Sequence, residues 1–215
     1  MFEQRPFIFV RHGESTGNAR NICQGTLDFP LTERGRSSAA NVAEVVRPYS
    51  DRLTIFSSTL ERARQTTEIL LPGLNFPPCE WRETLRERCW GELQGGERSK
   101  MIEQEMREAA ACYHDPTIIK GLESLADFDN RVRHEFSTIL GRSDVDIPLI
   151  VSHGRVFRAV CSLLHATTEL PLPNAAPVWC EPEKGGWKIR KMTPATPPSE
   201  RATVGASRGS ITLVE

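Results

Sequence analysis

The stretch FIFVRHGEST, residues 7–16, opens as a segment that belongs in a core and closes on Arg11-His12-Gly13-Glu14. Its first four residues are apolar, aromatic or β-branched without alternation, the pattern of a strand buried on both faces. A cationic side chain and an imidazole at the strand end, then a glycine, make a place where rigid backbone meets a ligand. The stretch IPLIVSHG, residues 147–154, repeats the arrangement: an apolar strand, then His153, then Gly154.

Between these strands the chain alternates. A helix is expected after Thr32 as cap, through the Ala/Val spacing at 39, 42, 43, 45 and 46, stopping before Pro48. LTIFSS (53–58) reads as a second strand, followed by a helix over 59–71 ended by Pro72-Gly73. A short extended piece lies near 79–82, and helices are expected over 98–114 and 124–142, the latter with Ser124 as N-cap. A further helix leaves the 147–153 strand over 154–166, and PVWCEPE with GWKIRKM forms a closing hairpin. The reading is an α/β protein, a three-layer α/β/α sandwich around a mostly parallel, mixed central sheet. Residues 1–192 form one domain, with 96–122 as an insertion over the site. Residues 193–215, rich in Pro, Ser, Thr and Gly, are expected to be a flexible tail, with ITLVE able to dock back.

Composition limits the function classes. The 215 residues carry 27 Lys+Arg against 28 Asp+Glu, so no bulk field draws nucleic acid or an anionic membrane. No apolar run approaches a membrane span and the N-terminus lacks signal-peptide features, so a cytoplasmic location is expected. Six scattered cysteines without a C-x-x-C pair point to reduced thiols, not to zinc or redox chemistry. A monomer and a homodimer are both left open.

Ligands of open α/β sheets bind beyond the carboxyl ends of the strands. If the strands at 7–11 and 147–152 are parallel neighbours, His12 and His153 face one crevice. Arg62, just after the 53–58 strand, joins them. Arg11, His12, Arg62 and His153 together would be costly without an anion, and the guanidinium fork suits phosphate oxygens. A helix opening at Gly154 would aim free N–H groups at the same anion.

RHGES (11–15), Asn18, QGTLDFPLTERG (24–35), SSTLERARQTTE (57–68), ERCWGELQG (87–95) and SHG (152–154) occur in one order and together resemble the histidine phosphatase superfamily, and within it the phosphoglycerate-mutase-like branch. The resemblance runs from residue 7 to about 165. It implies that His12 is a nucleophile that becomes transiently phosphorylated, oriented by a hydrogen bond from Nδ1 to a carbonyl near Gly13. It places Arg11, Arg62, His153, Asn18 and Gly154 about the phosphate, and Gln24 and Gly25 on a loop lining the substrate side. Glu87, before Trp90-Gly91, would be general acid and later base, with Glu83 and Glu92 as rivals. No metal or cofactor is implied, and the partner is a small phosphorylated substrate.

The resemblance favours a metal-independent phosphomonoester hydrolase. Phosphoglycerate mutase-type transfer and a catalytically silent phospho-ligand-binding module are the alternatives. The mutases add basic residues for a second phosphate, including an Arg-Arg pair; the segment between Gly96 and Leu122 has Arg98, Lys100, Arg107 and Lys120 but no Arg-Arg. Neither G-x-G-x-x-G nor a P-loop occurs, against a nucleotide-binding reading. Trp90, Met101 and Tyr113 are read as core residues in preference to lid residues.

Overall fold

A computed structural model describes residues 4–110, 119–166 and 171–194. Strand β1 (Phe7–Arg11) is followed by a one-turn helix α1 (Thr16–Ala19), helix α2 (Glu33–Val46), β2 (Leu53–Ser58), α3 (Glu61–Gly73) and β3 (Cys79–Arg82). Then come α4 (Arg98–Ala110), α5 (Leu125–Leu140), β4 (Ile147–Ser152), α6 (Gly154–Leu163), β5 (Pro177–Glu183) and β6 (Gly186–Lys191). The strands form one mixed sheet in the order β3-β2-β4-β1-β5-β6. β1, β2, β3 and β4 run parallel, while β5 opposes both of its neighbours.

The continuous apolar run in β1 is explained by two cores. Phe7 and Phe9 face α5 and α6, packing with Phe136 and Phe157. Ile8 and Val10 face the other way, toward Val42 and Val46 of α2 and Leu70 of α3. All four are fully buried, each worth about 1.5–3 kcal/mol against exposure. β1 thereby becomes a fixed rod between two helical layers, which makes this an α/β/α sandwich.

Side-chain caps start two of the long helices where the sequence puts them. Thr32 Oγ1 accepts from Gly35 N at 3.0 Å, and Ser124 Oγ from Asp127 N at 3.0 Å. Helix α3 begins later than expected, after Leu60, because Asp28 from a distant loop accepts from Glu61 N at 2.8 Å and takes the capping role. It also runs through Pro72 to Gly73: so near the C-terminus the missing N–H removes one bond and the turn still closes. Helix α2 stops at Val46, before Pro48 as expected. Pro48 sits in the first turn of a 3₁₀ segment, Arg47–Arg52, where its fixed φ is suitable. Of the expected 98–114 helix, residues beyond Ala110 lie outside the described residues, as do Cys112, Tyr113 and ITLVE.

The five described cysteines are all free thiols. Burial pushes Cys161 up to about 12, and burial together with nearby Glu87 and Glu105 pushes Cys23 up to about 11. Neither is a reactive thiolate near neutral pH. Among the described residues no helix is long and apolar enough to cross a membrane.

Candidate active site

Parallel pairing of β1 with β4 sets Arg11 opposite Ser152, so the two strands end together. His12 N donates to Ser152 O at 2.9 Å, and the His12 and His153 rings lie 5.2 Å apart between centroids. The crevice between the two strand ends therefore exists as the sequence requires.

His12 is 3 % exposed, and its two ring nitrogens have different neighbours. Nδ1 lies 2.7 Å from Gly13 O, while Arg62 Nε donates to Nε2 at 3.3 Å. A carbonyl accepts and a guanidinium donates, so together these contacts select the neutral Nδ1–H tautomer and put the lone pair on Nε2, the atom that faces Arg62. Burial, then the charges of Arg62 and Arg11, hold His12 well below the ordinary imidazole value.

Arg62 is fully buried and braced. Nη1 donates to Leu27 O at 2.8 Å and Nη2 to Gly25 O at 2.7 Å. A guanidinium has five N–H donors, so two remain for an oxyanion. Burial lowers its pKa to about 10, opposed by Glu87 and Asp28, so it stays charged at neutral pH. The carbonyl of Gly25 is aimed by a left-handed turn at φ +51, with Gln94 Oε1 only 2.0 Å from where a Cβ would stand; only glycine fits there. Gln24, on the same loop, accepts from Ser15 Oγ at 2.7 Å and lines the cleft.

Arg11 donates from Nη1 to Leu172 O at 2.7 Å, and its buried Nε has no hydrogen-bond partner among the described residues. Burial and the nearby charge of Arg98 lower the Arg11 pKa, against the pull of Glu87. Asn18 lines the cleft and holds its floor: its Oδ1 accepts from Ser15 N at 3.1 Å and from Asn174 Nδ2 at 3.3 Å. Asn174 also donates to His12 O at 2.9 Å.

His153 is fully buried beside His12, with Nε2 2.7 Å from Ser58 Oγ. Its Nδ1 has no partner among the described residues. Burial, Arg62 and His12 keep it well below the ordinary value. Gly154 lines the cleft as the first residue of α6.

Gly13 requires a correction. Its open side faces α2, not a ligand: a Cβ there would stand 2.6 Å from Gly35 O. Gly35 in turn packs on Glu14, so the two glycines let α2 press against the loop carrying His12.

Of the rival carboxylates only Glu87 lines the same cleft as His12; Glu83 opens onto a neighbouring pocket and Glu92 is exposed. Glu87 Oε1 accepts from Arg88 N at 3.0 Å and Oε2 from Arg155 N at 3.1 Å. An N–H at the start of α6, expected to await an outside anion, is thus taken by the chain's own carboxylate.

The cleft encloses about 480 Å³, and α4 forms one wall with Arg98, Met101 and Glu105. Met101 therefore faces the cleft, and Trp90, fully buried as expected of a core residue, borders it as well. Sequence reasoning missed Arg155 and Arg158, which line the cleft from α6. Their i, i+3 spacing in GRVFR, directly after SHG, was the available signal. Among the described residues no cluster of three His, Cys, Asp or Glu is arranged to hold a metal.

A buried imidazole at a strand end, guanidinium groups beside it and a carboxylate lining the same cleft are thus gathered in one place. The chain belongs to the histidine phosphatase superfamily (branch 1), whose family model matches residues 7–194. It is 32 % identical to the 2,3-bisphosphoglycerate-dependent phosphoglycerate mutase 2 of Gloeobacter violaceus, over 71 % of this chain and 72 % of that one. It is 29 % identical to the metal-independent phosphoserine phosphatase of Arabidopsis thaliana, over 74 % and 68 %. The solved mycobacterial glucosyl-3-phosphoglycerate phosphatase superposes with a TM-score of 0.68 at 26 % identity, over 87 % of this chain and 98 % of that one. Relatives thus include both phosphatases and mutases.

Proposed function

We propose that the protein hydrolyses phosphomonoesters without a metal, in two displacements at His12. The observation that carries this reading is the pair of contacts fixing His12: Nδ1 against Gly13 O, and Nε2 facing Arg62 on the cleft side. The Nε2 lone pair attacks phosphorus, the bond from phosphorus to the ester oxygen breaks, and its electron pair leaves on that oxygen. Glu87 gives the oxygen a proton. Water then yields a proton to Glu87 as its oxygen bonds phosphorus, the N–P pair returns to Nε2, and inorganic phosphate departs.

Arg11 and the two free N–H groups of Arg62 oppose the charge spread over the equatorial oxygens. Arg98, whose charge reaches Arg11, adds to that field. His153, its ring 5.2 Å from that of His12, has a buried Nδ1 without a hydrogen-bond partner among the described residues, a group that a phosphoryl oxygen would satisfy. Splitting the reaction into two steps suits a nucleophile that is neutral at working pH.

A mutase-type transfer is the second reading, supported by the Gloeobacter relative. Hydrolysis is preferred because Arg155 and Arg158, the cations that could greet a second phosphate, both pair with Glu105.

The test is turnover of p-nitrophenyl phosphate and an alkyl phosphate by the full chain in excess chelator. His12→Ala is expected to lose at least about 10⁴-fold. Glu87→Gln is expected to lose about 10²–10⁴-fold on the alkyl ester and much less on the nitrophenyl ester, whose leaving group needs no proton. Undiminished turnover in His12→Ala sinks the nucleophile; loss in Glu83→Gln with none in Glu87→Gln moves the acid.

A further inference from the structure

We propose that the alcohol released from this site is apolar, an aryl or alkyl group bearing no second phosphate, seated against the inner face of α4. This rests on the phosphatase reading and narrows it to a substrate class. The cleft is cationic about His12. Arg11 and Arg62 close on His12, and Arg98 stands near enough to Arg11 to lower its pKa. Arg155 and Arg158 share one carboxylate, Glu105, which lies 3.2 Å from Arg155 Nε and 3.1 Å from Arg158 Nη1, so the three together leave a single positive charge. An anionic leaving group would have to break that triad and lie beside the carboxylate it released.

The α4 wall carries an apolar stripe beside Arg98 and Glu105. Met101, Ile102, Met106 and Ala109 follow one another along one side of α4, and all four line the cleft. A helix ordinarily turns such a stripe into a core. Here Ile102 is 40 % exposed and Met106 67 % exposed, so the stripe faces a space that ends at His12. Trp90 and Leu172 border the same space. A cavity with cationic groups about the nucleophile and an apolar stripe along one wall suits a ligand with a charged head and an apolar body. Unbranched thioethers on the wall adapt to chains of differing shape.

The experiment compares kcat/KM for ethyl phosphate, hexyl phosphate and 3-phosphoglycerate with the full chain. Ethanol and hexanol are similar leaving groups, so their ratio reports the wall and not the chemistry. Hexyl phosphate is expected to exceed ethyl phosphate by about 10-fold or more, with 3-phosphoglycerate no better than ethyl phosphate. Met106→Asp is expected to bring the hexyl-to-ethyl ratio down to roughly 1–3, while Met106→Leu keeps it. A ratio near one in the wild type, a ratio unchanged in Met106→Asp, or 3-phosphoglycerate as the best of the three overturns the proposal. No turnover of any ester, or turnover surviving His12→Ala, instead overturns the phosphatase reading, and this proposal with it.

Discussion

The guanidinium of Arg88, 0 % exposed, grips Glu108 of α4 through two hydrogen bonds of 2.6 and 2.7 Å, and lies 4.6 Å over the Trp90 ring. The backbone N–H of the same arginine holds Glu87. One residue thus ties the helix forming the cleft wall to the segment carrying the proposed acid. Arg155 does the same from the other side, with its N–H on Glu87, its Nε beside Glu105 and its guanidinium 5.7 Å from the Trp90 ring.

Removing one partner of a buried pair strands the other charge, so Glu108→Ala is expected to destabilise the fold by about 3–5 kcal/mol. Burial pushes the Glu108 carboxyl up, but the hydrogen bonds and charge of Arg88 outweigh it and leave the group below its ordinary value of 4.5. Stability from this pair is therefore complete above that value and lost as pH falls below it toward the lower folded-state value. Urea unfolding at pH 7 measures the first effect. Unfolding at pH 4.5 and pH 3 measures the second, with a smaller acid loss expected in Glu108→Gln than in wild type.

The buried histidines act with the same sign at a higher pH. In the unfolded chain an imidazole takes up a proton below about 6.5; folded His12 and His153, held well below that by burial and by Arg62, do not. Each contributes stability that is complete above about pH 6.5 and falls, by up to ~1.4 kcal/mol per pH unit, as the solution is acidified toward its folded value. Between pH 7 and pH 5.5 the wild type should lose roughly 1 kcal/mol more than His12→Gln in urea titrations. Equal losses would show that His12 protonates normally in the fold.

Arg62 tests whether geometry or charge matters. Lysine keeps the charge but cannot contact His12 Nε2, Leu27 O and Gly25 O at once, as the guanidinium does. Arg62→Lys is therefore expected to lower kcat/KM for phosphate esters by about 10²–10³-fold, most of it in kcat. A KM effect alone would make Arg62 a ground-state binder only.

Much of this was legible in the sequence because it depends on local pattern. The apolar runs gave β1, β2 and β4, Thr32 and Ser124 gave two caps, and matching strand ends brought His12 beside His153. What was not legible depends on tertiary placement. The apolar stripe of α4 has the same spacing whether it faces a core or a cleft. Leu172, Leu27 and Gly25 act through carbonyls, which carry no sequence signal. Helix α1 is too short for a period, and the cap of α3 comes from Asp28, 33 residues earlier. Gly13 has the composition of a ligand-facing turn, and only the position of α2 shows which way its bare side points.

That glycine contact gives a discriminating pair of substitutions. A Cβ on Gly35 would stand 2.0 Å from Glu14 O and 2.8 Å from Glu14 N, both backbone atoms that cannot swing aside. Gly35→Ala must push α2 away from the loop carrying His12, at a cost of about 1–3 kcal/mol for overpacking. Activity should fall further than stability, since displacement of about 1 Å at the nucleophile can cost ~10²-fold. Gly154 is the contrast: its Cβ would meet Arg11 Nε at 3.5 Å, an ordinary contact, at the first position of α6. Gly154→Ala should fold at least as stably as wild type, by up to ~1 kcal/mol from helix propensity. Thermal melts beside kcat/KM for both variants decide the matter, and a Gly35→Ala protein of wild-type activity would show that the loop yields without moving His12.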